Sequence, residues 1–357
     1  MRKLICVCLA VMLLAGVCIA CAEEKIIEVE NKVPIPKLAP KDRAAAAGES
    51  PFTGLPASGE AYTPIMVPLD NSPEGHPLWG IGDASVLFQI PLSDNGSTRL
   101  MALFGDAYPE QVGGVRSARM TMLPLVRAFN AVFAYAGMPP IKTGPVSVDT
   151  WMTEWGFRKP TRHYNLLGDE YRERVSFVAD PHNLSAHVKD LHIHLTQRQM
   201  DYEGRAFLFT DEPLDRGEKA AVISVQYRNH KSPSKTSPNS ASTFTWNPEK
   251  GYIRTSAAGE TTDRNGGEAI PFANVIIMRV PLQWEKSYPY YAAQMQGSGQ
   301  ADIFQNGRYI QGAWTHPNDT DRLVFLDETG KELAFQRGKT FIVVGDEIIV
   351  SYSDDSQ

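Results

Sequence analysis

From about residue 205 to residue 353 the chain repeats one pattern, in which aromatic or β-branched residues alternate with polar ones in short runs. AFLFT, AAVISVQY, STFTWN, GYIRTS, ANVIIMRV, ADIFQNGRYIQGAWTH, RLVFLDETGKELAF and KTFIVVGDEIIVSY carry it, and Asn-Gly, Thr-Gly, Arg-Gly and Gly-Asp steps punctuate it. A period of two sends alternate side chains to opposite faces of a strand, so this half predicts a run of antiparallel hairpins. Residues 230–241 (HKSPSKTSPNSA) are rich in Ser, Pro and Lys and predict an exposed loop. No internal repeat of fixed period is present.

The texture of residues 61–200 differs. Residues 85–91 (SVLFQIP) and 98–104 (TRLMALF) read as strands joined by the Asp94-Asn95-Gly96 turn, and 132–136 (VFAYA) as a buried strand. Between them 117–130 predicts a helix with Ser117 as N-cap, in which Pro124 implies a kink or a late start. Further helices are expected over 146–155 and 186–195. The predicted fold class is therefore α+β: an N-terminal α/β domain (61–200) followed by a mostly antiparallel, β-rich C-terminal domain (205–353).

All four cysteines, Cys6, Cys8, Cys18 and Cys21, lie in the first 21 residues. MRK followed by an apolar run too short for a comfortable span reads as a secretory signal over 1–20. Ile19-Ala20-Cys21 fits a lipobox that leaves Cys21 as a lipidated N-terminus on the membrane; cleavage after Ala22 would instead release a secreted protein. Either way the exported part has no thiol and no disulfide. Residues 21–60, dominated by Pro, Ala, Lys and Glu without periodicity, predict a flexible tether. The formal charge of −6 falls to −8 once Arg2 and Lys3 leave with the leader, which disfavours nucleic acid as a partner and makes any anion site local.

The chemistry-bearing candidates cluster in the first half. Gly113-Gly114-Val115-Arg116-Ser117-Ala118-Arg119 stands where a helix is expected to start, so N–H groups, a helix dipole and two guanidinium forks would favour a phosphate or carboxylate. The alternative is that Arg116 and Arg119 pair with acids such as Asp106 or Glu110. Asp180-Pro181-His182-Asn183 offers His182 as acid or base and Asn183 as a donor, or else a plain turn with Asn183 as N-cap. Asp70-Asn71 follows a predicted strand, a place where functional groups collect and where turns also occur. His187, His192 and His194 do not share one helix face, so no metal is expected, and nothing calls for a cofactor. Gly-x-Ser-x-Gly, His-Glu-x-x-His and Walker signatures are absent from the sequence.

The succession VPLDNSPEGHPLWGIGDASVLFQIPLSDNGSTRLMALFGDAYPEQVGGVRSAR, FNAVFAYAGMPP and ADPHNLSAH resembles the N-terminal domain of the YerB-like lipoproteins, and QMQGSGQADIFQNGRYIQGAWTH to KTFIVV resembles their C-terminal domain. The resemblance implies a two-domain, often lipid-anchored envelope protein and brings no established reaction. Asp70, Asn71, Arg99, Gly114, Arg116, Ser117, Arg119, Gly137, Pro181, His182 and Asn183 match its recurrent pattern. The chain departs from that pattern at Gln89, at 94–97 (DNGS), at Met138 and at 259–263 (GETTD), losing an acid and a histidine that acid–base work would use.

Two readings follow. One is an envelope protein that binds an anionic ligand or a protein partner without chemistry, its ligand set drawn from Asn71, Arg99, Arg116, Ser117, Arg119 and Asn183. The other is a hydrolase or transferase on a cell-wall or phosphate-bearing substrate, with His182 as acid or base, Asp70 as orienter or base, and Arg116 and Arg119 as charge stabilisers.

Overall fold

The structure, a computed structural model, describes residues 24–29, 33–37, 40–59, 61–159, 161–198, 202, 204–229, 232–236, 240–285, 287–346 and 348–354. The signal segment and Cys21 lie outside the described residues. One mixed sheet of eleven strands runs through the molecule. From one edge its order is Glu218–Lys219, Arg308–His316, Gly297–Gln305, Asn274–Arg279, Thr340–Gly345, Val86–Pro91, Thr98–Phe104, Ile65–Leu69, Val132–Tyr135 and His163–Asn165, with Val324–Leu326 beside Arg308–His316.

The two halves of the chain therefore share this sheet. Strand Thr340–Gly345 pairs in parallel with Val86–Pro91 of the first half and with Asn274–Arg279 of the second. Its residues explain the position: Phe341, Ile342, Val343 and Val344 are all fully buried. A strand covered on both faces needs an unbroken apolar run, which an outer strand does not. The second half is thus not purely a set of antiparallel hairpins, because this parallel join closes it onto the first.

Alternation along the central strands builds two cores. Met66, Phe88, Met101, Ile276 and Ile342 face one layer, and Ile65, Leu87, Ala102, Val275 and Phe341 face the other. A second, eight-stranded sheet covers the latter face. It contains Lys25–Ile26, Ile348–Ser353, Val222–Asn229, Ser242–Asn247 and Gly251–Ser256, and contributes Ile223, Phe244, Tyr252 and Val350 to the core. The opposite face is covered by helix Leu123–Ala128, by Met152 of helix Val148–Glu154 and by aromatic residues of connecting segments.

Three expectations need correction. The helix expected over 117–130 begins late: a 3-10 turn at Met120–Met122 precedes helix Leu123–Ala128, with Pro124 in its first turn, where proline's missing N–H costs nothing. Residues 21–60 do not behave as a tether where they are described. Phe52 is fully buried, edge-on to Phe129 and Phe207 at 5.5 Å each, a burial that contributes roughly 2 kcal/mol. Val33 packs with Val324 and Leu326, Arg43 pairs with Glu332 at 2.9 Å, and Lys25–Ile26 adds a short strand to Ile348–Ser353. The expected loop at 230–241 folds back instead: Ser232–Thr236 pairs with Val222–Asn229, and Ser240 is buried with its carbonyl accepting from Gln89 Nε2 at 2.7 Å.

Candidate functional site

Strand Ile65–Leu69 ends at Asp70, where the Asp70 carboxylate accepts the Ser72 N–H at 2.9 Å and so turns the chain on itself. Beside it runs the segment that opens with strand Val112–Gly113. That strand pairs with Leu184–Ala186 on one side, and the Arg116 N–H donates to the Pro68 carbonyl on the other at 2.8 Å. The glycines serve this close approach. A Cβ on Gly114 would lie 2.0 Å from the His182 carbonyl oxygen, and one on Gly113 would lie 2.1 Å from the Trp79 ring. The pair therefore seats the His182 loop against the end of the central sheet, and it does not open a helix.

This packing brings Asp70, Arg116 and His182 together. Asp70 Oδ2 lies 2.6 Å from Arg116 Nη2 and 2.6 Å from His182 Nδ1, and Arg116 Nη1 donates to the Pro181 carbonyl at 3.1 Å. Their side chains are 6%, 21% and 18% exposed, so the cluster is sheltered yet reachable. Burial opposes ionisation of Asp70. The Ser72 N–H, the Arg116 guanidinium and His182 outweigh it and hold the carboxyl below its ordinary range. Arg116 Nη2, which can only donate, also lies 3.1 Å from His182 Nδ1, so Asp70 and Arg116 make opposite demands on that ring nitrogen.

Two more arginines stand around this trio. Arg99 donates to the Ser117 carbonyl. Burial first, then the charges of Arg119 and Arg116, push its pKa down to about 9. Arg119 donates to the Ala118 carbonyl at 2.8 Å and lies over the Tyr290 ring at 4.7 Å. Burial lowers its pKa as well, against the pull of Tyr290. A guanidinium whose charged form is disfavoured lacks counter-charge. Here Asp70 pairs with Arg116 and acts on Arg99, while Arg119 has Tyr290 beside it.

Other expected residues lie elsewhere. Ser117 caps no helix, and it is its backbone carbonyl that receives Arg99. Asn71 turns inward, donating its amide N–H to Thr98 at 2.8 Å and accepting from Arg254 at its side-chain oxygen at 3.4 Å. Asn183 accepts from Arg174 at 2.6 Å, and the following helix, Val188–Thr196, takes His187 as its N-cap. Asp106 and Glu110 are engaged by Ser58 and Lys189, so neither is the acid that Arg116 meets. His192 stacks on Tyr108, His194 lies edge-on to Tyr164, and His187 approaches Glu173; the three do not converge.

Arg254 and His76 are the residues that motif reading misses, and Gln89, met in the sequence only as a departure from the family pattern, joins them. Arg254 is 1% exposed, and its hydrogen bonds go to uncharged oxygens of Ser242, Thr261, Asn71 and Gln89. His76 is kept neutral by burial and by the Arg254 charge, which bring its pKa down to about 4. The signal for Arg254 is its place in GYIRTS, two residues after the buried Tyr252 and so on the same face of the strand. Cavities of 170 to 310 Å³ among the described residues are lined by residues outside this cluster. The cluster reaches solvent through the partly exposed side chains of Arg116 and His182.

Comparison with known proteins accords with this architecture. Residues 52–201 match the family model described as the N-terminal domain of a protein of unknown function (DUF3048), and residues 233–342 match the C-terminal domain of the same family. YerB of Bacillus subtilis (strain 168), which carries the name of a lipoprotein, is 25% identical over 326 residues, spanning 89% of this chain and 90% of YerB. The crystal structure of YerB from Bacillus subtilis superposes with a TM-score of 0.70 at 24% identity, covering 85% of this chain and 99% of that one. The first matched stretch holds Asp70, Arg99, Arg116, Arg119 and His182, and the second holds Arg254 and Tyr290. The chain belongs to the YerB-like family, in which the two DUF3048 domains follow one another.

Proposed function

We propose that this protein is an exported envelope protein, held to the outer face of the membrane by a lipid on Cys21, that binds an anionic ligand through Arg99, Arg116 and Arg119. The observation that carries the reading is the gathering of Arg99, Arg116 and Arg119, whose charges act on one another, with the carboxylate of Asp70 paired to Arg116. A phosphate or carboxylate there supplies the missing charge and matches the planar forks of arginine. The partial exposure of Arg116 and His182 suits an anionic group borne on a larger envelope molecule.

The test is thermal unfolding against polyprenyl phosphates, peptidoglycan fragments and nucleotide sugars, beside the Arg116→Ala/Arg119→Ala variant. A ligand at one hundred times its dissociation constant stabilises the fold by about 2.7 kcal/mol, and the variant should lose that shift. No shift with any of them would reduce the arginines to structural residues and turn attention to a protein partner.

The contact of Asp70 with His182 favours a second reading, a hydrolase or transferase acting on the bound anion. Asp70 would orient the imidazole while the ring takes a proton from the attacking water or hydroxyl. Turnover of whichever ligand binds, lost in His182→Ala with binding retained, is the outcome that would establish it.

A further inference from the structure

Away from the Asp70 cluster, a cavity of about 260 Å³ opens where the end of helix Leu123–Ala128 meets the segment after helix Val148–Glu154 and the chain around Arg205. Arg127, Lys159, Arg162 and Arg205 line it, and no described residue of the lining is acidic. The protein as a whole has a formal charge of −6, so this is a local reversal of sign. Four cations around one hollow favour an anion inside it, although two of them, Arg127 and Arg205, also pair with Asp319 and Asp42.

The three arginines are held in place by neighbours, some of which (Asn130, Trp155 and Thr320) line the hollow as well. Arg127 lies over the Trp155 ring at 4.7 Å and reaches Asp319 at 3.3 Å. Arg162 donates to the backbone and side-chain oxygens of Asn130 at 3.2 and 2.8 Å and lies over Tyr202 at 5.2 Å. Arg205 donates to the Thr320 carbonyl at 2.9 Å and pairs with Asp42, yet its Nε is buried with no acceptor among the described residues. Asp319 and Asp42 both stand outside the lining. Groups fixed in this way lose little freedom when a ligand arrives.

We infer that this cavity is a second anion site, separate from the Asp70 cluster and sharing no residue with it. Its basic groups come from three stretches of chain, around Arg127, Lys159 to Arg162, and Arg205. They therefore suit a small ligand bearing two or more phosphate or carboxylate groups better than a lone phosphate.

Calorimetric titration of the full-length chain with inorganic pyrophosphate, citrate and orthophosphate tests the inference, using wild type, Lys159→Glu, Arg127→Ala and Arg116→Ala. Pyrophosphate or citrate should bind more tightly than orthophosphate, and which of the two wins separates phosphate from carboxylate chemistry. Lys159→Glu, at an exposed position, should keep the melting temperature and weaken binding about tenfold. Arg116→Ala should leave this binding in place whatever becomes of the Asp70 cluster. No binding of either polyanion, or binding lost in Arg116→Ala and intact in Lys159→Glu and Arg127→Ala, would overturn the proposal.

Discussion

His76 and Asp70 lie six residues apart and respond to acid in different windows. His76 is folded in its neutral form with a pKa near 4, against an ordinary 6.5, so its contribution is whole above about pH 6.5. That contribution drains away as pH falls through 4, by roughly 3 kcal/mol in all. Asp70 is folded as a carboxylate with a depressed pKa, so its contribution persists down to about its ordinary 3.8 and is lost below that. Urea midpoints from pH 7.5 to 3 should therefore show His76→Gln flattening the upper limb alone. Asp70→Asn should keep that limb and cost about 3 kcal/mol at pH 7, because Arg116 is left without its carboxylate. Asp70, Arg116 and His182 are visible in the sequence as short polar islands beside glycine or proline. Arg254 is not, since an arginine in an alternating strand reads as outward-facing until its partner residues on the same face are identified.

At the level of elements, the Gly113-Gly114 step and strand Thr340–Gly345 decide the most. Gly114→Ala forces a methyl group against the His182 backbone, a clash that no side-chain rotation relieves. A loss of roughly 2 to 3 kcal/mol in denaturant unfolding is expected, with the anion response of the Asp70 cluster falling alongside it. The diglycine is conspicuous in sequence, but its use depends on Leu184–Ala186, some seventy residues on, which local patterning cannot bring near. Strand boundaries were more legible: 98–104, 242–247 and 251–256 coincide with observed strands because their turns and alternation are local. The parallel pairing of Thr340–Gly345 is a contact across some 250 residues, and only its doubly apolar character hints at it.

Seen whole, the molecule is a layered body whose central sheet crosses from one family domain to the other. Calorimetry should show one cooperative unfolding transition, and residues 24–204 produced alone should aggregate, because the edge of Val86–Pro91 would lie open. Two separate transitions, or a soluble and folded first half, would contradict that coupling. The early part of the chain carries a mechanical consequence. Pairing with the C-terminal strand begins at Lys25, and the few residues from Cys21 to that point span at most roughly 15 Å of fully stretched chain. A lipid on Cys21 would moor the body close against the bilayer, with Ile26 and Val29, 71% and 66% exposed, beside the mooring point. Such a short line leaves little room to swing, so the protein would meet only what passes within its own width of the membrane.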